Sequence, residues 1–236
     1  MKKNFFRSLF ATAMLIFGMP AAHAEDIDLF VGYNQATATV PNVLFVVDNT
    51  ANWTPVFEKE MAALAKAFGS LDPNKFKVGI MMFTETGGGN SNVDGAYLRA
   101  GVRMLDAPNK LAYEALIKSL DVNGDKSNGG KAGKMMAEVY RYLASREPIA
   151  GNRKVKADYS GNVFGTSASK AIYALPNNPL SGKDDTSYSG PDTENCIGTY
   201  VIYISNGAAQ DNNNDSTISA NALREAGVTQ PPSHCR

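Results

Sequence analysis

The sequence predicts an α/β fold built on a mostly parallel sheet with helices on both faces, and three observations carry that prediction. Val43–Val47, Phe76–Phe83 and Thr199–Ser205 are short apolar runs, as strands covered on both faces of a parallel sheet read. Between them lie segments whose apolar residues recur at helical spacing. The two kinds of segment alternate along the chain at the intervals of βα units. The order of the elements follows from this pattern; their arrangement in space does not.

The central strand lies in Pro41–Trp53, PNVLFVVDNTANW, where the apolar run stops at Asp48 and polar Asn49, Thr50 and Asn52 follow. Thr54 then offers an N-cap and Pro55 a first helical residue. Phe57, Met61, Leu64 and Phe68 form the apolar stripe of the first helix, closed by Gly69. The second strand, Phe76–Phe83, leads through a glycine-rich turn at Gly87–Asn92 into Ala96–Leu105, whose alternation predicts an edge strand or hairpin partner. A helix is predicted from about Asn109 to Leu120, then a polar loop, Asp121–Gly133, then a helix from Met135 to about Ala144. Ile149 to Asn195 is a long irregular insertion. The fourth buried strand, Thr199–Ser205, ends at Asn206-Gly207, and a last helix is predicted around Thr217–Ala226.

The first 24 residues read as a secretory signal. Lys2, Lys3 and Arg7 precede the mostly apolar stretch Leu9–Met19, and Ala22-His23-Ala24 supplies small residues for cleavage. That apolar stretch is too short to span a bilayer. Residues 25–236 are therefore expected to form one exported domain with no membrane span. Without the three basic residues of the signal the chain carries 20 Lys+Arg against 23 Asp+Glu. This balance excludes the basic patch that a nucleic-acid partner demands.

Two cysteines in an exported chain make a Cys196–Cys235 disulfide the default expectation, with Cys235 pairing elsewhere as the alternative. The closed loop would stabilise the fold by roughly 4 kcal/mol. His234 is the one histidine outside the signal segment. A histidine base or a cluster of histidine metal ligands is thereby excluded.

A carboxylate at the carboxyl end of a central strand sits where open α/β sheets bind ligands. Asp48, Thr50 and Asn52 could converge on a hard divalent ion, or Asp48 could cap the next turn. Other patterns fail on inspection. Asp121-x-Asn123-x-Asp125 and Asp211-x-Asn213-x-Asp215 open like calcium loops, but Ala132 and Ala222 stand where the bidentate glutamate belongs, so both read as solvated turns. Gly133-Lys134 lacks the first glycine and the following Ser/Thr of a phosphate loop. Gly87–Gly89 opens no helix, and Ser167 and Ser169 lie in no nucleophile elbow. Tyr159, Phe164, Tyr173 and Tyr188 in the insertion would form a recognition surface or cover the domain's own core; both readings stay open.

At Asp48 a resemblance becomes specific. PNVLFVVDNTANW resembles the opening of a von Willebrand factor A domain, whose metal-ion-dependent adhesion site starts D-x-S-x-S at this spot. EDIDLFVG at Glu25–Gly32, NVLFVVDNT, GG…VYRYL at Gly129–Leu143 and CIGTYVIYISNG at Cys196–Gly207 together are similar to the N-terminal region of the PilY family. Those proteins are type IV pilus tip-associated adhesins and assembly factors. The likeness covers most of residues 25–236, least well at the insertion.

The resemblance implies a von Willebrand factor A-like, non-enzymatic adhesion or assembly module. Its partners would be pilus subunits or a host or surface receptor, and its place the periplasm, cell surface or pilus tip. It also implies a metal site, and here the chain departs from it. Lys131 stands where the family has a threonine, and Asn206 where it has the third motif's aspartate. Losing one negative charge and gaining one positive charge beside a divalent cation is strongly unfavourable. The expectation is a degenerate site needing no cofactor, at most weak for Mg²⁺ or Ca²⁺, in which Lys131 pairs with Asp48. Asp48, Thr50, Asn52, Lys131 and Asn206 are its binding residues, the first three being the ligands if any ion binds. The family continues past the fourth strand, so the fold is expected to be incomplete at its C-terminus or a short relative. The competing readings are a metal-assisted periplasmic hydrolase and a scaffold unrelated to pili.

Overall fold

The computed structural model describes residues 39–50, 56–84, 95–120, 125, 131–151, 179–180, 186–192, 197–205 and 207–228. The chain divides into Met1–Ala38, outside these residues, and Thr39–Arg236, to which every structural statement below refers. The signal segment, Asn52, Asn206, most of the insertion 149–195, and Cys196 and Cys235 with their expected bridge also lie outside the described residues.

Four strands and four helices follow one another as β1 (Asn42–Val47), α1 (Phe57–Ser70), β2 (Lys77–Thr84), β3 (Gly95–Met104), α2 (Ala107–Ser119), α3 (Ala132–Leu143), β4 (Thr199–Ile204) and α4 (Asn213–Glu225). The strands form one sheet in the order β3-β2-β1-β4. β1 pairs in parallel with both β2 and β4, Val47 lying level with Met82 and Ile204. β3 runs antiparallel to β2, as the alternation of Ala96–Leu105 predicts for a hairpin partner. The fold is thus α/β with a mixed, mostly parallel four-stranded sheet.

Period-two alternation sends successive side chains of β1 and β2 into two different cores. Val47, Val78, Ile80 and Met82 meet Phe57, Met61, Leu64 and Phe68 of α1 and Tyr113, Leu116 and Ile117 of α2. Leu44, Val46, Met81 and Phe83 meet Met135, Val139 and Tyr142 of α3 on the opposite face, with Tyr188 closing that side. Tyr188 is 2% exposed, so this aromatic of the insertion covers the domain's own core; Tyr159, Phe164 and Tyr173 lie outside the described residues. Helices on both faces follow directly from strands apolar on both.

Three local expectations are corrected. β4 was expected to be a buried strand, but it is the sheet's edge, and Tyr200, Val201, Ile202 and Tyr203 are 36–46% exposed. Its apolar composition matches that of β1, yet burial depends on what lies across the strand. α3 begins at Ala132 rather than Met135, with Lys131 as its N-cap residue. α4 begins at Asn213, four residues before Thr217, because Asn212 and Asp215 form a capping box that starts it early.

Candidate functional site at the carboxyl edge of the sheet

The ladder of β1 extends one residue past the strand, where Asp48 N donates to Ile204 O at 2.9 Å. The chain then turns while still buried: Asp48, Asn49 and Thr50 are only 2–4% exposed. Asp48 makes an Asx turn, its Oδ1 accepting from Thr50 N at 3.2 Å. Asn49 extends the sheet with its side chain. Its Oδ1 accepts from Phe83 N at 2.8 Å, and its Nδ2 donates to Phe83 O at 3.2 Å and Asp125 O at 2.5 Å. One amide thus joins the ends of β1 and β2 to the chain at Asp125, satisfying backbone groups that burial would otherwise leave costly. Asp125 is itself 2% exposed and belongs to no solvated turn.

Lys131 does not pair with Asp48. Its ammonium lies 3.1 Å from Asp215 Oδ2 and donates to Gln210 O at 2.6 Å. Lys134, one turn further along α3, lies 3.2 Å from Asp215 Oδ1. The physical reason is helix packing. α3 lies against α4, and Lys131 and Lys134 share one face of α3, so both reach the first turn of α4. Asp215 is the third residue of that turn, 1% exposed. Its Oδ2 also accepts from Asn212 N at 2.9 Å. Burial works against this carboxylate, but the Asn212 N–H and the two ammonium groups outweigh it and hold its pKa below the ordinary 3.8.

Asp211 completes the junction. Both its carboxylate oxygens accept from Gly133 N, at 3.0 and 3.1 Å, satisfying an orphan donor at the start of α3 and placing negative charge at the positive end of that helix. The stretch Asp211–Asp215 is therefore the joint between two helix N-termini rather than a solvated turn. Tyr203 on β4 senses both acidic elements. Burial raises its hydroxyl pKa, and the carboxylates of Asp48 and Asp211 push it further, against a hydrogen bond with Ser205.

The carboxyl edge thus brings together Asp48, Asn49 and Thr50 from β1, Tyr203 from β4, Lys131 and Lys134 from α3 and Asp211 and Asp215 before and within α4. Of the residues named from sequence, Asp48, Thr50 and Lys131 are placed on this edge, while Asn52 and Asn206 lie outside the described residues. The spacing Lys131-x-x-Lys134 and the pattern Asn212-x-x-Asp215 were the signals that could have revealed the junction. Nothing local marks Asn49, whose role depends on where β2 and Asp125 lie.

The donor set suits a divalent ion poorly. Asp48 Oδ1 is engaged by a backbone N–H, and Asp215 already has two cations. Among the described residues no three or more His, Cys, Asp or Glu side chains gather where an ion could sit. Two surface hollows lie elsewhere. One of about 530 Å³ runs between α1 and α2, beside Lys66, Gly69 and Glu114; the other, about 350 Å³, opens between Lys77, Arg103 and Asp192. No helix among the described residues is long and apolar enough to cross a membrane. Compared with known proteins, the chain matches no family model, no curated protein and no solved structure.

Proposed function

We propose that this chain is a non-enzymatic, exported binding module of the von Willebrand factor A-like, PilY type, acting in adhesion or assembly of type IV pili. The observation that carries this reading is the state of the carboxyl edge. Its most heavily engaged acid, Asp215, is neutralised by Lys131 and Lys134, and Asp211 caps α3. A carboxyl held in that way is no acid or base for chemistry near neutral pH. What such an edge offers instead is a rigid, charge-satisfied platform that carries recognition on its loops.

Ammonium groups on this reading do the structural work that a cation does in the resembled site, tying the first turn of α4 to the start of α3. Two experiments test it. Calorimetric titration of the full chain with Mg²⁺ or Mn²⁺ should give no saturable heat, and Asp48→Ala should leave the trace unchanged. Stoichiometric binding abolished by Asp48→Ala would restore the metal-dependent alternative. Deleting the gene in the source organism should reduce surface pili or twitching; wild-type values of both would remove the pilus assignment while leaving the metal result intact.

A further inference from the structure

Glu138 lies on the apolar stripe of α3, between Met135 and Val139 on one side and Tyr142 on the other, and is fully buried. Its carboxyl gathers donors from two separate pieces of chain. Ile149 N approaches Oε1 at 3.1 Å and Oε2 at 3.2 Å, and Ala150 N donates to Oε2 at 2.8 Å. Gly151 N also hydrogen-bonds to it. From the other piece, Tyr188 Oη donates to Oε1 at 2.5 Å. Residues 149–151 and 186–192 stand at the two ends of the long insertion, so one carboxyl fastens both of its stems to α3.

The surroundings are built for this contact. A Cβ on Gly151 would fall on the Tyr188 hydroxyl, so only glycine admits the phenol at that point. Tyr188 stacks edge-on against Tyr142, ring centres 5.6 Å apart, and its N–H donates to Arg146 O at 3.0 Å. Gly190 N reaches Ser145 Oγ at 3.2 Å.

The charged and titratable groups on the packed elements are few. On α3, Lys134 directs its ammonium to Asp215, and the Tyr142 hydroxyl accepts from Val102 N. Residues 149–151 bring only N–H groups, after exposed Arg146 and Glu147. Residues 186–192 bring Tyr188 and, at their far end, exposed Asp192. β3, packed on α3, carries Tyr97, Arg99 and Arg103, the last with its guanidinium over the Tyr113 ring on the opposite face of the sheet.

We propose that Glu138 is a proton-operated latch: its carboxyl fastens Ile149–Gly151 and Tyr188 to α3 when protonated, and the fastening loosens as pH rises through neutrality. A buried ionised carboxyl must do without water, and burial is the largest influence on this group, outweighing its four donors. It lifts the carboxyl from the ordinary 4.5 to about 7. Unfastened and solvated, the same group ionises in the ordinary range. The fastened form therefore binds more protons between those two values, and the fastening weakens across that interval.

Hydrogen exchange on the full chain tests this. Exchange of the Ile149, Ala150 and Gly151 amides, corrected for the intrinsic pH dependence, should lose protection by roughly 30-fold between about pH 5.5 and 8.5. Glu138→Gln, which keeps an acceptor and cannot ionise, should show a flat profile, and amides of β2 should not change in either protein. Wild-type protection that is constant or rises with pH overturns the latch, as does an unchanged slope in Glu138→Gln. Should that variant not fold, a carbon-13 titration of the Glu138 carboxyl in wild type decides. A midpoint near 7 supports the latch, and one at or below about 4.5 overturns it.

Discussion

Asp215 is the residue through which the site is held together, and its energetics follow from having two cations and one backbone donor. Removing one partner of a buried ion pair leaves uncompensated charge, typically costing 3–5 kcal/mol. Asp215→Ala strands the ammonium of Lys134, which is 7% exposed, and also opens the capping box. Denaturant unfolding should register a loss of about 3 kcal/mol. Lys131 is half of a shared arrangement and its side chain is 17% exposed, so Lys131→Met should cost about 1 kcal/mol. Equal losses for the two variants would mean that Lys131 alone holds the carboxylate. The pH dependence has a definite sign. Because the folded carboxyl titrates below its ordinary 3.8, its stabilisation is present above that value and is lost as pH falls through the folded one.

At the scale of elements, the contact between α3 and α4 is closer than side chains usually allow. A Cβ at Gly133 would come within 2.6 Å of Ser219 Oγ and 3.0 Å of Asp211 Oδ1. Gly133→Ala must push α4 outward or break the cap on Gly133 N, at a cost of about 1–3 kcal/mol. Thermal unfolding should show it as a lowered Tm, with the Lys131–Asp215 geometry disturbed in the variant's structure. An unchanged Tm would show that α4 rides loosely on α3. Asn212→Ala attacks the same helix from its capping side and should cost about 1 kcal/mol. The start of α4 was hidden in the sequence because Asn212–Asp215 is polar and resembles a calcium loop, whereas the apolar periodicity that marks a helix begins only at Ile218. Capping chemistry rather than hydrophobic pattern sets the boundary there.

For the whole molecule, the two buried carboxyls set opposing trends with pH. Asp215 favours the fold above the acid range, while the raised value of Glu138 favours it below about 7. For Glu138 the stabilisation is fully present below 4.5 and fades as pH rises through the folded value. A plot of Tm against pH should therefore peak on the mildly acidic side of neutrality, and in Glu138→Gln the decline towards alkaline pH should be shallower. An optimum well above pH 7 would mean that the donors around Glu138 keep it ionised.

How much of this was legible follows from where each piece of information resides. β1, β2, α1 and α2 could be read because an apolar run or a 3.6-residue stripe reports its own burial: Leu44, Ile80, Phe68 and Leu116 are all fully buried. The exposure of β4 could not be read, since TYVIYI and NVLFVV differ in position within the sheet rather than in character. The pairing of Lys131 with Asp215 depends on how two helices separated by the whole insertion pack together. Glu138 left a trace that periodicity alone exposes: a carboxylate on the apolar stripe of α3, where a partner is obligatory.

The sheet order also has a consequence in time. β1 lies between a strand that follows it closely and one whose contact with it, Asn42 Nδ2 to Thr199 Oγ1 at 3.2 Å, spans 157 residues. Closing so wide a loop costs entropy before any contact repays it, and topologies rich in such pairings fold slowly. Refolding in a stopped-flow instrument should accordingly take on the order of milliseconds to seconds rather than microseconds. Until residue 199 arrives, the ribbon that will become the interior of the protein has one flank open to any passing strand. A chain of this topology is therefore most vulnerable in the interval between making its centre and making its edge.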